Sequence, residues 1–299
     1  MRTFTGDILV MEEIKAYSQE WLKARKLGSS DAAACLGLDN WRSPWKVWAE
    51  KTGRGKPVEE TEPMTWGKLL EPVIAEQFAK RTGLDVAKNE SMATHADHPF
   101  MTATIDYWCW ENEQLGILEI KNVNAFSKDY DEETIADSTH IQVMHQMAVL
   151  GLPWAYVAWL SGGNKLRWKK VERDDAFIKR LIEAETKFWN LVETDTPPAM
   201  NGQDNDVLAE LYPKALLQSI NIDGSADLAR AYLAAKTEAK AAESRADDYA
   251  AKLKSMIGPH EVGLAGQYKI TWKNQVRKSY TVAETTFRKF DIKEIKKNG

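Results

Sequence analysis

Two short runs rich in β-branched and aromatic residues constrain this chain more than any other feature. They are Thr102-Ala103-Thr104-Ile105-Asp106-Tyr107-Trp108 and Gly116-Ile117-Leu118-Glu119-Ile120-Lys121. Both are expected as strands, with Asn112-Glu113-Gln114 as the turn between them. Side chains alternate along a strand, so Glu119 and Lys121 share a face, and a neighbouring strand can set Asp106 opposite them. Two carboxylates crowded with one ammonium are costly unless a divalent cation offsets them. Oxygen ligands of this kind suit Mg²⁺, which keeps several waters and takes one or two carboxylates plus substrate phosphate. Mn²⁺ accepts the same oxygen octahedron. Such a group would support metal-assisted hydrolysis of a phosphodiester. The same residues would equally serve as a surface hairpin with a cross-strand ion pair, which is common and contributes little.

The flanks narrow the choice. Upstream, Trp66 to Phe78 has the spacing of an amphipathic helix, with Leu70, Ile74 and Phe78 on one stripe. Pro72 within it is unusual, since an interior proline costs about 3 kcal/mol. Either the helix starts near Glu71, whose carboxylate would complement the dipole, or Glu71 is held towards a metal. Downstream, a helix beginning near Thr139 has Ile141, Met144 and Ala148 on its apolar face and Gln142 beside it, within reach of a ligand at the sheet.

With these elements assembled, the chain resembles the phage recombination exonucleases of the lambda exonuclease/YqaJ family, a branch of the PD-(D/E)XK nuclease superfamily. The matching motifs follow the family's order over about the first 200 residues. They are Trp21 to Gly37, then Ser43-Pro44, Trp48 to Gly53, Gly67 to Pro72, Asp106, Glu119-Ile120-Lys121 and Gln142 to His145. The resemblance implies that Asp106, Glu119 and the backbone carbonyl of Ile120 hold the catalytic Mg²⁺, with Glu71 completing the acidic cluster. Lys121 would position or activate the attacking water and stabilise charge on the phosphate. Arg25, Ser30, Thr104 and Gln142 would cradle a terminal 5′-phosphate, a task that suits the planar fork of arginine. Without a ligand, Arg25 would be a helix-surface charge and Ser30 a helix N-cap, and a cap and an anion site can coincide. The chain departs from the family at Tyr107, where a glycine is usual, at Thr104, where lambda exonuclease has a serine, and at Met144, where many relatives carry a second glutamine.

The expected fold is α/β: a nuclease core of a central mixed sheet flanked by helices over residues 1–202, then an accessory extension over 203–299. Strands at Ala155–Leu160 and Arg167–Val171 and a helix from Asp174 to Thr194 complete the core. Pro197-Pro198-Ala199-Met200-Asn201-Gly202 makes the break. Beyond it, residues 225–257 form an Ala-rich helix whose seam runs Leu228, Tyr232, Ala235, Ala239, Ala242, Ala246, Tyr249, Leu253, Met256 at alternating spacings of four and three. The seam suits another subunit, a fold-back along the same chain, or a helical lever. A β-hairpin across Lys273-Asn274-Gln275 is expected after it. The extension is expected to bind DNA or a partner.

Charge is uneven. Residues 260–299 hold nine Lys/Arg against four acids, which leaves the rest of the chain with nine excess negative charges. A basic arm on an acidic body could admit DNA by a limited path, or could be a solvated terminus. Of the twelve tryptophans, Trp41, Trp45 and Trp48 could stack on DNA ends, although aromatic residues in mixed patterns usually pack inside. Two cysteines give no disulfide framework and too few ligands for a four-cysteine iron–sulfur cluster. With no signal peptide, apolar span or lipidation motif, a bacterial host cytoplasm and no membrane contact are expected. No Walker A motif accompanies the site, so ATP would not drive strand separation.

The resemblance implies a Mg²⁺-dependent double-strand DNA exonuclease that starts at 5′-phosphorylated ends, digests 5′ to 3′ and leaves a 3′ single-strand tail. It further implies a ring-shaped homotrimer threaded by the duplex and a phage single-strand annealing protein that receives the tail. The rivals are an endonuclease of the same superfamily and a catalytically silent DNA-binding phage protein.

Overall fold

The structure, a computed structural model, describes residues 11–12, 25–55, 60–131, 133–216, 218–222, 224–277, 284 and 289–292. Residues 21–24 of the N-terminal motif and part of the basic tail, including Lys278, Arg288, Lys293, Lys296 and Lys297, lie outside them. The chain forms two compact units, Met1–Val207 and Leu208–Gly299. The first unit runs past Gly202 because the turn Gly202–Asp204 is tied back to it. Asp204 is buried and accepts a hydrogen bond from the Ser43 hydroxyl, while Lys46 pairs with Asp206 at 2.9 Å.

In chain order the first unit has strands β1 (Met11–Glu12), β2 (Leu27–Gly28), β3 (Asp85–Lys88), β4 (Met92–Thr94), β5 (Met101–Ala103), β6 (Tyr107–Glu111), β7 (Gln114–Val123), β8 (Trp154–Ser161) and β9 (Lys165–Glu172). Five make the central sheet in the order β3-β6-β7-β8-β9. Only β7 and β8 run parallel there, and the helix Asp137–Leu150 between them is the crossover that parallel neighbours require. The sheet is mixed, with helices on both faces. Ile117, Val157 and Trp159 pack with Ile141, Met144 and Met147 of the crossover helix and with Ile178 and Leu181 of the helix Asp175–Glu193. On the other face Leu118, Ile120 and Ala158 pack with Ile74, Ala75 and Phe78 of the helix Glu62–Thr82.

The expected hairpin is present, with a tighter turn. Glu111 pairs with Gln114, so Asn112 and Glu113 alone make the bend. Both have positive φ, 48° and 64°, as a two-residue turn of the primed kind requires. The expected strand Thr102–Trp108 is divided. β5 belongs to a second sheet, ordered β1-β4-β5-β2, whereas Tyr107 opens β6 opposite Leu118. Parallel pairing of Leu27-Gly28 with Met101-Thr102, reinforced by the Thr102 hydroxyl on the Leu27 carbonyl, pulls the first half into the smaller sheet. Asp106 therefore stands at the changeover between sheets.

The helix Glu62–Thr82 does not begin near Glu71. It starts nine residues earlier and passes through Pro72. Burial of Ile74, Ala75 and Phe78 against the sheet, at about 1.5–3 kcal/mol for each of the two larger side chains, outweighs the cost of the proline. Trp45 and Trp48 are core residues beside Leu27 and Phe188, whereas Trp41 is 86% exposed.

The second unit contains the long helix Ala226–Ile257 and a hairpin of β10 (Val262–Ala265) with β11 (Tyr268–Thr271), turning at Gly266, φ 57°. Tyr268–Thr271 thus pairs backwards, ahead of the turn expected at Lys273–Gln275. The glycine at 266 supplies the positive φ that the tight turn needs. Residues 278–283 of the expected second arm lie outside the described residues. Among the described residues no helix is long and apolar enough to cross a membrane.

Candidate active site

Glu119 and Lys121 follow Ile117 on the face of β7 that looks towards the crossover helix. Glu119 is buried, and its carboxylate accepts hydrogen bonds from three side chains. Lys121 Nζ and Gln142 Nε2 each donate to Oε1 at 2.7 Å, and Gln146 Nε2 donates to Oε2 at 2.7 Å. Lys121 also donates to Gln142 Oε1 at 2.8 Å, which closes a three-residue ring. Gln142 and Gln146 sit one helical turn apart and therefore meet the same carboxylate.

Asp106 reaches this group from the sheet changeover. Its Oδ2 accepts the Ile120 N–H at 2.8 Å, while the Ile120 side chain is buried in the opposite core. Burial, with the nearby Glu119 carboxylate, pushes the Asp106 carboxyl well above the usual range against the pull of Lys121. For Lys121, burial disfavours the ammonium, but Glu119 and Asp106 outweigh it and hold the charge in place. The floor of the site is thus a carboxyl pair that repels itself and a cation bonded to Glu119 and felt at Asp106.

A second group lies at the mouth of β2. Arg25 Nη2 donates to the Ser30 hydroxyl at 2.6 Å and meets Asp31 Oδ2 at 3.3 Å. Asp31 is fully buried and also takes Arg42 at 2.8 Å, Lys51 at 2.7 Å and the Gly28 N–H at 3.1 Å. Burial alone would raise its carboxyl; Arg25, Lys51 and Arg42 together drive it well below the ordinary carboxylate value. The Ser30 hydroxyl is not a helix cap. It lies within the short turn Ser29–Asp31 and its oxygen faces Arg25.

One cavity of about 270 Å³ connects the two groups. Arg25, Ser30, Thr104, Asp106, Glu119, Ile120, Lys121, Gln142 and Glu71 all line it. Glu71 pairs with Lys88 at 3.4 Å, and its charge is felt at Asp106. It does not build a three-carboxylate cage with Asp106 and Glu119. Among the described residues no group of three or more His, Cys, Asp or Glu side chains gathers around a common point.

A protein of Bacillus subtilis (strain 168), named only as uncharacterized protein YqaJ, is 33% identical over 306 residues, covering 92% of this chain and 94% of the relative. A model of the YqaJ-like viral recombinase domain matches residues 20–153. The chain belongs to the YqaJ-like family. It is therefore a member of the PD-(D/E)XK nuclease superfamily. Among solved structures, an alkaline exonuclease from Laribacter hongkongensis is 18% identical with a TM-score of 0.47, over 65% of this chain and all of the other. A putative exonuclease from Eubacterium rectale is 11% identical, also at 0.47, over 69% and 95%. The family assignment rests on the sequence relative and not on these shape likenesses.

The donor set of the YqaJ-like site fits a small hard dication. Mg²⁺ asks for one or two carboxylates and keeps its waters, so Asp106 and Glu119 suffice without a cage. Burial and, after it, the neighbouring Glu119 carboxylate raise the Asp106 carboxyl, and a bound dication would offset both.

Several residues of the site escape sequence inspection. Asp31 looks like a first-turn acid ahead of three alanines, and its three cations lie 6, 11 and 20 residues away. Gln146 carries a signal in retrospect, its i,i+4 spacing from Gln142. His145 is fully buried, bonded to Glu185 at 2.9 Å and to the Thr102 carbonyl at 3.1 Å. Burial disfavours its charge, but Glu185 outweighs that and raises its pKa.

Proposed function

We propose that this chain is a Mg²⁺-dependent double-strand DNA exonuclease that enters at a 5′-phosphorylated end, proceeds 5′ to 3′ and leaves a 3′ single-strand tail. The observation that carries the reading is the joining, in one cavity, of the acidic floor at Asp106 and Glu119 with the arginine–hydroxyl group at Arg25 and Ser30. Mn²⁺ would serve in place of Mg²⁺.

In this reading Asp106, Glu119 and the Ile120 carbonyl hold the ion, and Glu71 contributes from the cavity lining. The ion, when bound, would polarise the phosphate and acidify the attacking water. Lys121 offers an ammonium to the charge that develops on the phosphate oxygens. Gln142 orients Lys121 and Glu119 together. Arg25 grips the terminal phosphate with its planar fork, with Ser30 and Thr104 supplying hydroxyls beside it. The buried Asp31 anchors Arg25, so the fork is set before DNA arrives.

Residues 1–202 would form the exonuclease domain and 203–299 an accessory element for DNA or a partner. The working assembly would be a homotrimer encircling the duplex in the cytoplasm of a bacterial host, passing its tail to a phage single-strand annealing protein.

The test is digestion of three substrates with Mg²⁺: linear duplex with 5′-phosphate, the same with 5′-hydroxyl, and closed circular duplex. Loss of the phosphorylated linear DNA alone, with a surviving 3′-ended strand, is the expected result. Cutting of the circle would make the protein an endonuclease. No cutting of any substrate would leave a DNA-binding protein.

A further inference from the structure

The helix Ala226–Ile257 is 32 residues long and buries only Ile257 among its described side chains. Its seam lies open: Leu228 is 74% exposed and Tyr249 63%. A strict seven-residue repeat along one helix is the pattern of a coiled-coil surface awaiting another helix.

The order of residues along the seam identifies that helix. From Leu228 to Leu253 the seam runs Leu-Tyr-Ala-Ala-Ala-Ala-Tyr-Leu, the same in both directions about a point midway between residues 240 and 241. A second copy laid antiparallel about a twofold axis there sets Leu228 opposite Leu253, Tyr232 opposite Tyr249, and Ala239 opposite Ala242. The four alanine layers allow close approach at the centre, and tyrosine and leucine fill the wider ends.

The flanking charges select the same orientation. In an antiparallel pair, like flanks meet. Glu238 then faces Arg245 of the second copy and Lys236 faces Glu243, and the twofold axis repeats each pair. A parallel, in-register pair would instead set Glu238 against Glu243 twice. Flanking charges of this kind chiefly determine partner and orientation. We propose that this helix is a self-association surface on which two copies of the chain pair antiparallel, symmetrically about residues 240 and 241. Within the same unit Phe290 touches Tyr232 edge-on, with ring centroids 5.4 Å apart, so pairing replaces that contact at each end.

Sedimentation of the full chain over a range of concentrations tests this. Wild-type protein is expected at twice the mass of Ala242→Glu, whatever assembly the remainder of the chain makes. Glu238→Arg should weaken pairing about tenfold by opposing two arginines at both symmetry-related contacts with Arg245, and adding Arg245→Glu should restore it. Equal masses for wild type and Ala242→Glu would overturn the proposal. Tighter association by Glu238→Arg alone would also overturn it, since only the parallel pair gains from that change. The double variant guards against misfolding, because a chain that fails to fold is not rescued by a second charge.

Discussion

Gln146 donates to Glu119 Oε2 at 2.7 Å while its own amide oxygen, fully buried, has no hydrogen-bond partner among the described residues. A half-satisfied amide in the core is costly unless its other half is needed, and here the other half fixes a carboxylate at the site floor. Gln146→Ala should therefore destabilise the protein modestly, by about 1–2 kcal/mol, because the cost of the orphaned oxygen partly cancels the lost bond. Nuclease activity should fall about tenfold or more as Glu119 loses its orientation. Thermal unfolding and duplex digestion, measured together, separate the two effects.

Asp106→Ala and Lys121→Ala should each reduce cleavage at least about a hundredfold, since each removes charge from the reacting phosphate's surroundings. Binding to duplex ends should survive in both, because the Arg25 group is untouched. Gel-shift and digestion assays on one preparation check this. Loss of end binding in Lys121→Ala would show that the lysine grips DNA before chemistry.

Arg25→Ala should abolish the distinction between 5′-phosphate and 5′-hydroxyl ends with little change on the hydroxyl substrate. A second route leads to the same outcome. A Cβ at Gly28 would lie 2.5 Å from Arg25 Nε, so Gly28→Ala must displace the guanidinium. If Gly28→Ala keeps the wild-type preference for phosphate, Arg25 is not the group that reads it.

Asp31 should make the fold acid-sensitive. Its carboxyl is held well below its ordinary value by Arg25, Lys51 and Arg42 despite burial. A depressed folded pKa contributes stability above the unfolded value, and that stability is lost as pH falls from about 4 towards the folded pKa. Asp31→Asn should flatten this acid limb in denaturant titrations from pH 7 to pH 2. At pH 7 it should cost about 3–5 kcal/mol by leaving three cations clustered around a neutral amide.

Local pattern made much of the core legible. The β-branched alternation around Glu119 and the apolar stripes of Ile141–Ala148 and Leu181–Phe188 depend on near neighbours, and the sheet and its helices follow. The Asn112-Glu113 turn was visible within one residue. What escaped depends on distant partners. Thr102 and Tyr107 read as one strand until Leu27 and Leu118 claim them for different sheets. The helix through Pro72 looks interrupted until the sheet beneath Ile74 and Phe78 is known. His145 and Glu185, forty residues apart, have no local sign of their pairing. At the site, the Glu119–Lys121 pair was legible from strand alternation. The Asp31 cluster was not, because three cations must converge before a lone acid becomes an anchor.

The changeover at Asp106 makes one peptide segment a gauge. Thr102 is tied to Leu27 beside the arginine cradle, Thr104 lines the passage, and Asp106 ends at the acidic floor. A chain cannot stretch beyond about 3.6 Å per residue, so Thr104 and Asp106 stay within about 7 Å of each other however the walls breathe. The spacing of Thr104 from Asp106 is thus set by covalent bonds, and inserting one residue at Ile105 would change it.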